Sequence, residues 1–307
     1  MSPARVPPGG IITSGTEPST MRLEAPDLSG QTAFVTGTTR GIGKAIALGL
    51  AERGCNVVST GKTSEADDYG EERGLEGTIE QTAREVEARG AEALSIRLDV
   101  RDQESVRTAA EAAIDRFGEV NVVVNNASAI QLATVEDLPP NRFDLLTDVN
   151  VRGTYLVSRA FADHLKGVED AWILTNAPPM TVDRSPGQAP YAWSKMGMAF
   201  LTLSMASELG PHDVGCNTFW PVTAIDTRAT RYFGLGTEED WRSPEVVSDA
   251  VLQILRHDPA SFTGHALYDE EVLREAGVRD FSAYNLTPGD PEPTSARMFD
   301  PDYERPA

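Results

Sequence analysis

One turn constrains this chain more than any other feature of its sequence. Residues 36–43 read TGTTRGIG; they follow a short apolar run at 32–36 and precede a helical pattern at 44–53. Glycine lets a backbone turn sharply and approach a ligand without interference from a Cβ atom. The helix that follows presents unpaired N–H groups and the positive end of its dipole to an anion. The turn therefore predicts a phosphate-binding loop between a strand and a helix.

The same strand–helix alternation continues along most of the chain. The pattern predicts strands at 32–36, 56–60, 94–98, 120–124, 171–175, 215–219 and 265–268. It predicts helices at 44–53, 78–89, 102–117, 141–165, 191–209 and 244–256. Alternation on this scale requires crossover connections between parallel strands, with helices covering both faces. We therefore predict an α/β fold: a single doubly wound parallel sheet of the Rossmann type, with helices on both faces.

Composition divides the 307 residues into three parts. Residues 1–27 are rich in Pro, Gly, Ser and Thr without an apolar period, which predicts a disordered tail. Residues 28–275 form the predicted domain, and residues 276–307 an irregular extension. For the acidic end of that extension two alternatives stay open, disorder or contact with a neighbouring subunit.

The balance of charge excludes several classes of partner. The net charge is −20, which argues against nucleic-acid binding, because affinity for phosphate backbones comes mainly from Lys and Arg. No apolar stretch approaches the length of a membrane helix, and residues 1–8 lack the apolar core of a secretory signal. The two cysteines, Cys55 and Cys216, form no disulfide framework and are typical of a reducing cytoplasm. We expect a cytoplasmic protein that acts on a small molecule.

Several separate motifs occur in a fixed order. After TGTTRGIG come Asp99-Val100 at the end of the third strand, NNAS at 125–128 after the fourth, Asn150 in the next helix, and YAWSK at 191–195. Together they resemble the short-chain dehydrogenase/reductase family over residues 28–269. NNASAI at 125–130, the prolines at 178–179 and WPVT at 220–223 are similar to its hydroxysteroid-dehydrogenase-like branch.

The resemblance implies a role for each motif. Tyr191 would donate a proton to a carbonyl during reduction or accept one during alcohol oxidation, beside the hydride that a nicotinamide supplies. Lys195, four residues away on the same helical face, would bind the nicotinamide ribose and lower the pKa of the phenol. Asn150 would hold a water that links Lys195 to solvent. The implied cofactor-binding residues are Gly37, Thr39, Arg40, Gly41, Ile42, Gly43, Lys62, Asp99, Val100, Asn126, Ala127, Tyr191, Lys195, Pro221, Ile225 and Thr227.

The choice of cofactor depends on the end of the second strand. Family members that prefer NAD(H) commonly carry an acidic residue there for the ribose 2′-hydroxyl. This strand ends in STGK at 59–62, and no acid occurs before Glu65. Arg40 and Lys62 would instead attract a 2′-phosphate, which favours NADP(H), with NAD(H) as the alternative.

One part of the family pattern is missing. Members carry a serine after the fifth strand that hydrogen-bonds the substrate oxygen, and Ala177 stands at this position. Thr175, Asn176 and Thr181 are the alternative donors. Loss of such a donor typically lowers the rate on the order of 10²–10³-fold. Two functions therefore remain: an NADP(H)-dependent alcohol–carbonyl oxidoreductase, and a nucleotide-binding sensor or scaffold with little turnover.

The remaining expectations concern the substrate, metals and assembly. Ala177 and Trp220 are the candidate substrate contacts, and the aromatics between Trp220 and Trp241 either form a lid over an apolar substrate or pack under the sheet edge. The four histidines lack the spacing of metal ligands, so no metal site is expected. Family members pair their two long helices, here 141–165 and 191–209, which implies a homodimer or homotetramer.

Overall fold

A computed structural model describes residues 23–66, 70–179, 181 and 187–306. Its strands are β1 (Thr32–Thr36), β2 (Asn56–Gly61), β3 (Ala93–Arg97), β4 (Val122–Asn125), β5 (Ala171–Asn176), β6 (Val214–Trp220), β7 (Ala224–Ile225), β8 (Trp241–Arg242) and β9 (Ala266–Tyr268). Its α-helices are α1 (Gly41–Ala51), α2 (Ile79–Glu87), α3 (Gln103–Phe117), α4 (Pro140–Leu146), α5 (Gly153–Leu165), α6 (Ala189–Leu209), α7 (Arg228–Phe233), α8 (Glu245–Ile254), α9 (Asp269–Glu275) and α10 (Thr294–Arg297).

The main sheet is parallel throughout. In the described part of the chain it has seven strands in the order β3-β2-β1-β4-β5-β6-β9. Val35 of β1 is in register with Ser59 on one side and Val124 on the other. The strand order reverses between β1 and β4, and in such sheets this reversal opens a crevice at the carboxyl ends of the strands. The predicted doubly wound fold is confirmed.

Two apolar layers cover the sheet. Ile46 of α1 and Val251 of α8 pack on one face, and Val106 of α3 and Phe161 of α5 on the other. All four side chains are fully buried or nearly so. The central strands read as continuous apolar runs because both of their faces are buried.

The helix predicted at 141–165 is interrupted. α4 and α5 are separated by a π-helical turn at Thr147–Arg152, whose wider backbone spacing has no signature in an apolar period. This turn contains Asn150, so the interruption falls at a predicted site residue. Wider π turns of this kind are frequent at functional sites.

Both ends of the described chain pack against the domain. Of the predicted tail, residues 1–22 lie outside the described residues, while Leu23 packs on the core and Glu24 pairs with Arg256 at 2.7 Å. At the other end, Phe281 joins the core beneath α8, and Phe299 and Tyr303 join an apolar cluster near the carboxyl end of β6. The extension therefore folds back onto its own chain.

Candidate active site

A cavity of about 920 Å³ lies at the carboxyl ends of the central strands. Every residue predicted to bind the cofactor lines it, and so does Trp220. Asn150 and Ala177 do not belong to its lining. The structure therefore brings the glycine turn and the tyrosine–lysine pair to one cavity, and it leaves Asn150 and Ala177 outside the cavity lining.

The glycine turn has the shape that a phosphate-binding loop needs. Gly37 and Gly41 have φ values of 74° and 57°, in the left-handed region that favours glycine. A Cβ atom on Gly43 would overlap the carbonyl oxygen of Gly37 and the side-chain nitrogen of Asn126. α1 begins at Gly41 and its N-terminus has no side-chain cap, so the first N–H groups remain for an anion. This cradle fits the pyrophosphate of a dinucleotide.

Asn126 fixes this turn to the neighbouring strands. Its side-chain nitrogen donates to the carbonyl oxygens of Thr36 at 3.0 Å and Gly37 at 3.3 Å. The hydroxyl of Thr36 accepts from the main-chain nitrogens of Asn126 and Ala127 at 2.9 and 3.0 Å. The carboxyl ends of β1 and β4 are thus held in one geometry.

Cations collect where the ribose of the adenosine half would lie. Lys62 pairs with Asp99 at 3.1 Å, and Arg101 pairs with the same carboxylate at 2.6 Å. The hydrogen bond from Arg101, reinforced by Lys62, holds the pKa of Asp99 well below its usual range. Arg40 donates to the Thr63 hydroxyl at 3.1 Å and lines the same part of the cavity. Arg40, Lys62 and Arg101 thus bring three cations to the lining of the cavity, although the chain as a whole is strongly acidic.

Tyr191 and Lys195 lie one helical turn apart near the start of α6, and both are almost completely buried. The Lys195 ammonium donates to the main-chain oxygen of Asn176 at 2.8 Å and lies 5.0 Å from the centre of the Trp220 ring. Burial lowers the pKa of Lys195 to about 7 and raises that of Tyr191 above its ordinary value. Within the described ranges, no residue hydrogen-bonds the Tyr191 hydroxyl, which leaves it for a ligand.

The side chain of Asn150 has a full set of protein partners. Its oxygen accepts from the Ala129 main-chain nitrogen at 2.7 Å and from the Ser128 hydroxyl at 3.2 Å. Its nitrogen donates to the Ala129 carbonyl at 3.0 Å and to the Ser194 hydroxyl at 2.9 Å. A side-chain amide offers two donors and about two acceptor positions, so these four hydrogen bonds use the full hydrogen-bonding capacity of the Asn150 side chain. The side chain ties the end of β4 to α6, and the water expected to link Lys195 to solvent through Asn150 stays a prediction.

Ala177 lies in the protein interior. It is fully buried and packs with Met198 and Ala199, so the structure does not support the predicted direct substrate contact there. Of the three alternative donors, the Thr175 hydroxyl bonds Thr202 at 2.8 Å and does not line the cavity.

The two other alternative donors are also engaged. Thr181 donates its hydroxyl to the Phe299 carbonyl at 2.6 Å. Asn176 lines the cavity, but its side-chain nitrogen donates to the Asn126 side chain at 3.0 Å and its side-chain oxygen is buried without a partner. Thr175 and Thr181 therefore present no unengaged donor to the cavity, whereas Asn176 has one of its two amide donors engaged by Asn126.

The predicted aromatic lid is divided between the cavity and the interior. Tyr232 and Phe233 of α7 line the cavity and contact each other edge to face at 5.0 Å. Trp241 is buried, and its indole nitrogen donates to the Leu235 carbonyl at 2.7 Å. Tyr232 and Phe233 thus border the cavity and Trp241 packs in the interior, and a lid over an apolar substrate stays a prediction.

Residues near the C-terminus form a part of the cavity that the sequence did not reveal. Thr294, Ser295 and Met298 line it, and Phe299 lies behind them against Tyr191. The only hint in the sequence was the apolar and aromatic content of an otherwise acidic segment.

Metal ligands and membrane helices are absent from the part of the chain that the structure describes. No group of three or more His, Cys, Asp or Glu side chains there has the geometry of a metal site. Among the same residues, no helix combines the length and apolar character required to span a bilayer.

Comparison with known proteins identifies relatives of most of the chain. A family model described as short chain dehydrogenase matches residues 31–235. Hydroxysteroid dehydrogenase-like protein 2 of Rattus norvegicus is 41% identical over 267 residues, which cover 86% of this chain and 50% of that protein. The chain thus spans about half the length of this curated relative. The similarity confirms the resemblance to the hydroxysteroid-dehydrogenase-like branch.

Solved structures share the fold over nearly the whole domain. A short chain dehydrogenase of Mycobacterium thermoresistibile is 39% identical, with a TM-score of 0.79 over 86% of this chain and 94% of that one. A metagenomic short-chain oxidoreductase solved in complex with NADP is 28% identical, with a TM-score of 0.65 over 79% of this chain and 98% of that one.

Proposed function

Because the chain belongs to the short-chain dehydrogenase family, we propose that it is an NADP(H)-dependent oxidoreductase that interconverts an alcohol and a carbonyl compound. The observation that carries this proposal is the position of Tyr191 and Lys195. Both line the cavity that also contains the glycine turn, so the phenol and the nucleotide cradle open into one space.

The residues of the chain supply the proton. A bound nicotinamide supplies or accepts the hydride. Tyr191 donates its phenolic proton to the carbonyl oxygen during reduction and takes it back during oxidation. Burial raises the pKa of Tyr191, so the phenol stays protonated without ligands and is ready to donate.

Lys195 makes that proton easier to release. Lys195 follows Tyr191 by one helical turn, and a positive charge near a phenol favours the phenolate. The Asn176 carbonyl and the Trp220 ring hold the ammonium in place. Since the pKa of Lys195 is about 7, its charge and this assistance decline above neutral pH.

The cofactor preference follows from charge. Arg40 and Lys62 line the part of the cavity at the end of β2, where the ribose 2′ substituent would lie. A 2′-phosphate gains two cationic partners there, and a 2′-hydroxyl gains much less. We therefore propose NADP(H) rather than NAD(H).

The substrate is proposed to be an apolar alcohol or carbonyl compound, of acyl, isoprenoid or steroid-like character. Ile130, Trp220 and Met298 line the cavity and belong to the same apolar cluster as Tyr191, and Leu145 and Val149 add further apolar lining. Such surfaces bind hydrocarbon by removing it from water.

The second candidate function, a nucleotide-binding sensor or scaffold, is favoured by Ala177. It provides no hydroxyl for the substrate oxygen, and the hydroxyls of Thr175 and Thr181 are engaged elsewhere.

A Tyr191→Phe variant separates the two functions. We expect it to bind NADPH as the wild type does, by fluorescence titration, and to lose on the order of 10²–10⁴-fold in turnover of a ketone panel, because the general acid is removed. Tyr155→Phe, a half-exposed tyrosine on α5, is the matched control and should keep full activity. Wild-type protein that binds NADPH and turns over no member of the panel would establish the scaffold instead.

We also propose a homodimer or homotetramer in the cytoplasm. Phe143 of α4 stacks on Trp193 of α6 at 5.3 Å, and Phe200 of α6 and Tyr155 of α5 are exposed on the same group of helices. Exposed aromatic surface of this kind favours contact with another protein chain. The two free, buried cysteines are consistent with a reducing compartment.

A further inference from the structure

Residues 294–303, the C-terminal segment, lie outside the part of the chain that the family model matches. They begin with the short helix α10 and continue to Tyr303. Thr294, Ser295 and Met298 line the active-site cavity. The segment is therefore part of the site in space, although it lies about 100 residues beyond Tyr191 in sequence.

Main-chain hydrogen bonds attach the segment to the end of β6. The nitrogens of Ser295 and Ala296 donate to the Val222 carbonyl at 3.1 and 3.0 Å. The indole nitrogen of Trp220 donates to the Ser295 carbonyl at 3.2 Å. Trp220 lines the cavity beside the Lys195 ammonium, so the segment is fixed next to the tyrosine–lysine pair.

Contacts on the other side complete the attachment. The Gln188 side chain, just before α6, donates to the Met298 carbonyl at 3.0 Å. Thr181 donates to the Phe299 carbonyl. Hydrogen bonds on two sides therefore hold the segment that contains Met298 in place as one wall of the cavity.

Phe299 supports the catalytic side chains from behind. Its buried ring lies 5.2 Å from Trp220, edge to face, and 6.1 Å from Tyr191. Met298 is only partly buried and packs on the same apolar cluster, which includes Tyr191 and Trp220. Phe299 thus faces the interior, while Met298 is the large apolar side chain of this segment that faces the cavity.

We propose that the C-terminal segment forms the substrate-facing wall and that Met298 determines how bulky an apolar group can lie beside Tyr191. This inference rests on the proposed alcohol–carbonyl activity. It adds a specificity-determining residue, with Phe299 as a positioning residue for the Tyr191 ring.

Two substitutions of Met298, one to a smaller and one to a larger side chain, test its role in substrate discrimination by activity measurements. The probes are 2-octanone, which is slender, and 2-adamantanone, which is bulky. Met298→Ala should raise kcat/KM for 2-adamantanone relative to 2-octanone by about tenfold, and Met298→Trp should lower it by a similar factor, as is typical of size changes in apolar pockets. Met205→Ala is the matched control, because Met205 is also partly buried but packs on the far layer of the core. An unchanged ratio in both variants overturns the assignment.

A binding measurement tests the same residue without turnover. Met298→Cys introduces a thiol at the cavity wall; the natural Cys55 and Cys216 are buried, and burial raises the pKa of each to about 12. With NADP⁺ bound, which cannot reduce a ketone, a ketone at about ten times its Kd should slow maleimide labelling of residue 298 about tenfold, because little of the site stays free. Equal labelling rates with and without every ketone of the panel overturn the assignment.

The two proposals fail in different ways. Protection of the cysteine without turnover by the wild type contradicts the enzymatic function and supports the wall. Turnover by the wild type, with neither protection nor a changed substrate ratio, supports the function and contradicts the role of Met298.

Discussion

The side-chain nitrogen of Asn176 donates a hydrogen bond to the side-chain oxygen of Asn126 at 3.0 Å. Asn126 donates in turn to the carbonyls of Thr36 and Gly37, and the Asn176 main-chain oxygen accepts from Lys195. The direction of each bond is set by the carbonyls at the far end, since a carbonyl can only accept. The buried amine of α6 and the glycine turn after β1 are therefore joined by one continuous set of hydrogen bonds.

Gly43→Ala tests this connection. The added methyl group overlaps the Gly37 carbonyl and the Asn126 amide, so we expect a loss of about 1–3 kcal/mol in the free energy of unfolding, together with weaker NADPH binding. Urea denaturation and fluorescence titration measure the two effects. Gly167→Ala is the control, because a Cβ there meets only the His164 carbonyl at 3.7 Å. Equal behaviour of both variants would show that the turn tolerates a side chain.

Lys62→Ala tests the choice of coenzyme. Removal of one cation beside the 2′ position should weaken NADPH binding about tenfold, the range for a lost charge-assisted hydrogen bond, and change NADH binding little. Isothermal titration at low and high salt measures both, and the NADPH penalty should shrink as salt screens the charge. Lys166→Ala, at the end of α5 and paired with Asp163, should alter neither. An equal loss for the two coenzymes would contradict the proposed preference.

The Asp269 carboxyl should make the free energy of unfolding depend on pH. This carboxyl is buried at the start of α9, accepts hydrogen bonds from the Val222 and Glu270 main-chain nitrogens, and faces the Arg242 and Glu270 side chains. Burial raises its pKa from 3.8 to about 7. Between pH 4 and 7 this carboxyl therefore keeps its proton in the folded state and loses it in the unfolded state. Its contribution to the free energy of unfolding is greatest below pH 4 and falls as the pH rises to about 7.

Asp269→Asn should remove that slope. Wild-type protein is expected to lose on the order of 2–4 kcal/mol between pH 4 and 7 from this group, and the amide variant should show a correspondingly flatter curve. Urea unfolding at several pH values gives the comparison. Asp163→Asn, a fully exposed carboxylate on α5, should leave the wild-type slope unchanged. The same slope in all three proteins would mean that Asp269 ionises normally.

Phe200→Asp tests the proposed assembly. Phe200 is 61% exposed on α6, and a carboxylate in an apolar interface carries a high desolvation cost. We expect light scattering to show a dimer or tetramer for the wild type and a monomer for the variant. Val135→Asp changes an exposed apolar residue that is not part of these helices and should retain the assembly. A monomeric wild type would reject the proposal.

Local patterns were sufficient to predict the fold and the nucleotide side of the cavity. The glycine turn, Asp99 and Asn126 each lie within two residues of the end of a strand, and parallel strands bring their carboxyl ends to one edge. The sequence therefore placed these residues together without any long-range information.

Other parts of the site depend on contacts that no local pattern records. The π-helical turn at Asn150 exists where the Asn150 amide reaches Ala129 and Ser194. Ala177 is turned toward Met198, so its direction follows from the packing of α6. Met298 is held at the cavity by a hydrogen bond from Gln188, which lies 110 positions earlier in the sequence.

The attachment of the C-terminal segment to Val222 also bears on synthesis of the chain. The glycine turn that cradles the nucleotide leaves the ribosome well before the wall that contains Met298. A domain generally folds as a unit, so the crevice is complete with its substrate-facing wall only after residues 294–303 have been synthesised. Substrate selectivity therefore depends on translation continuing past Met298.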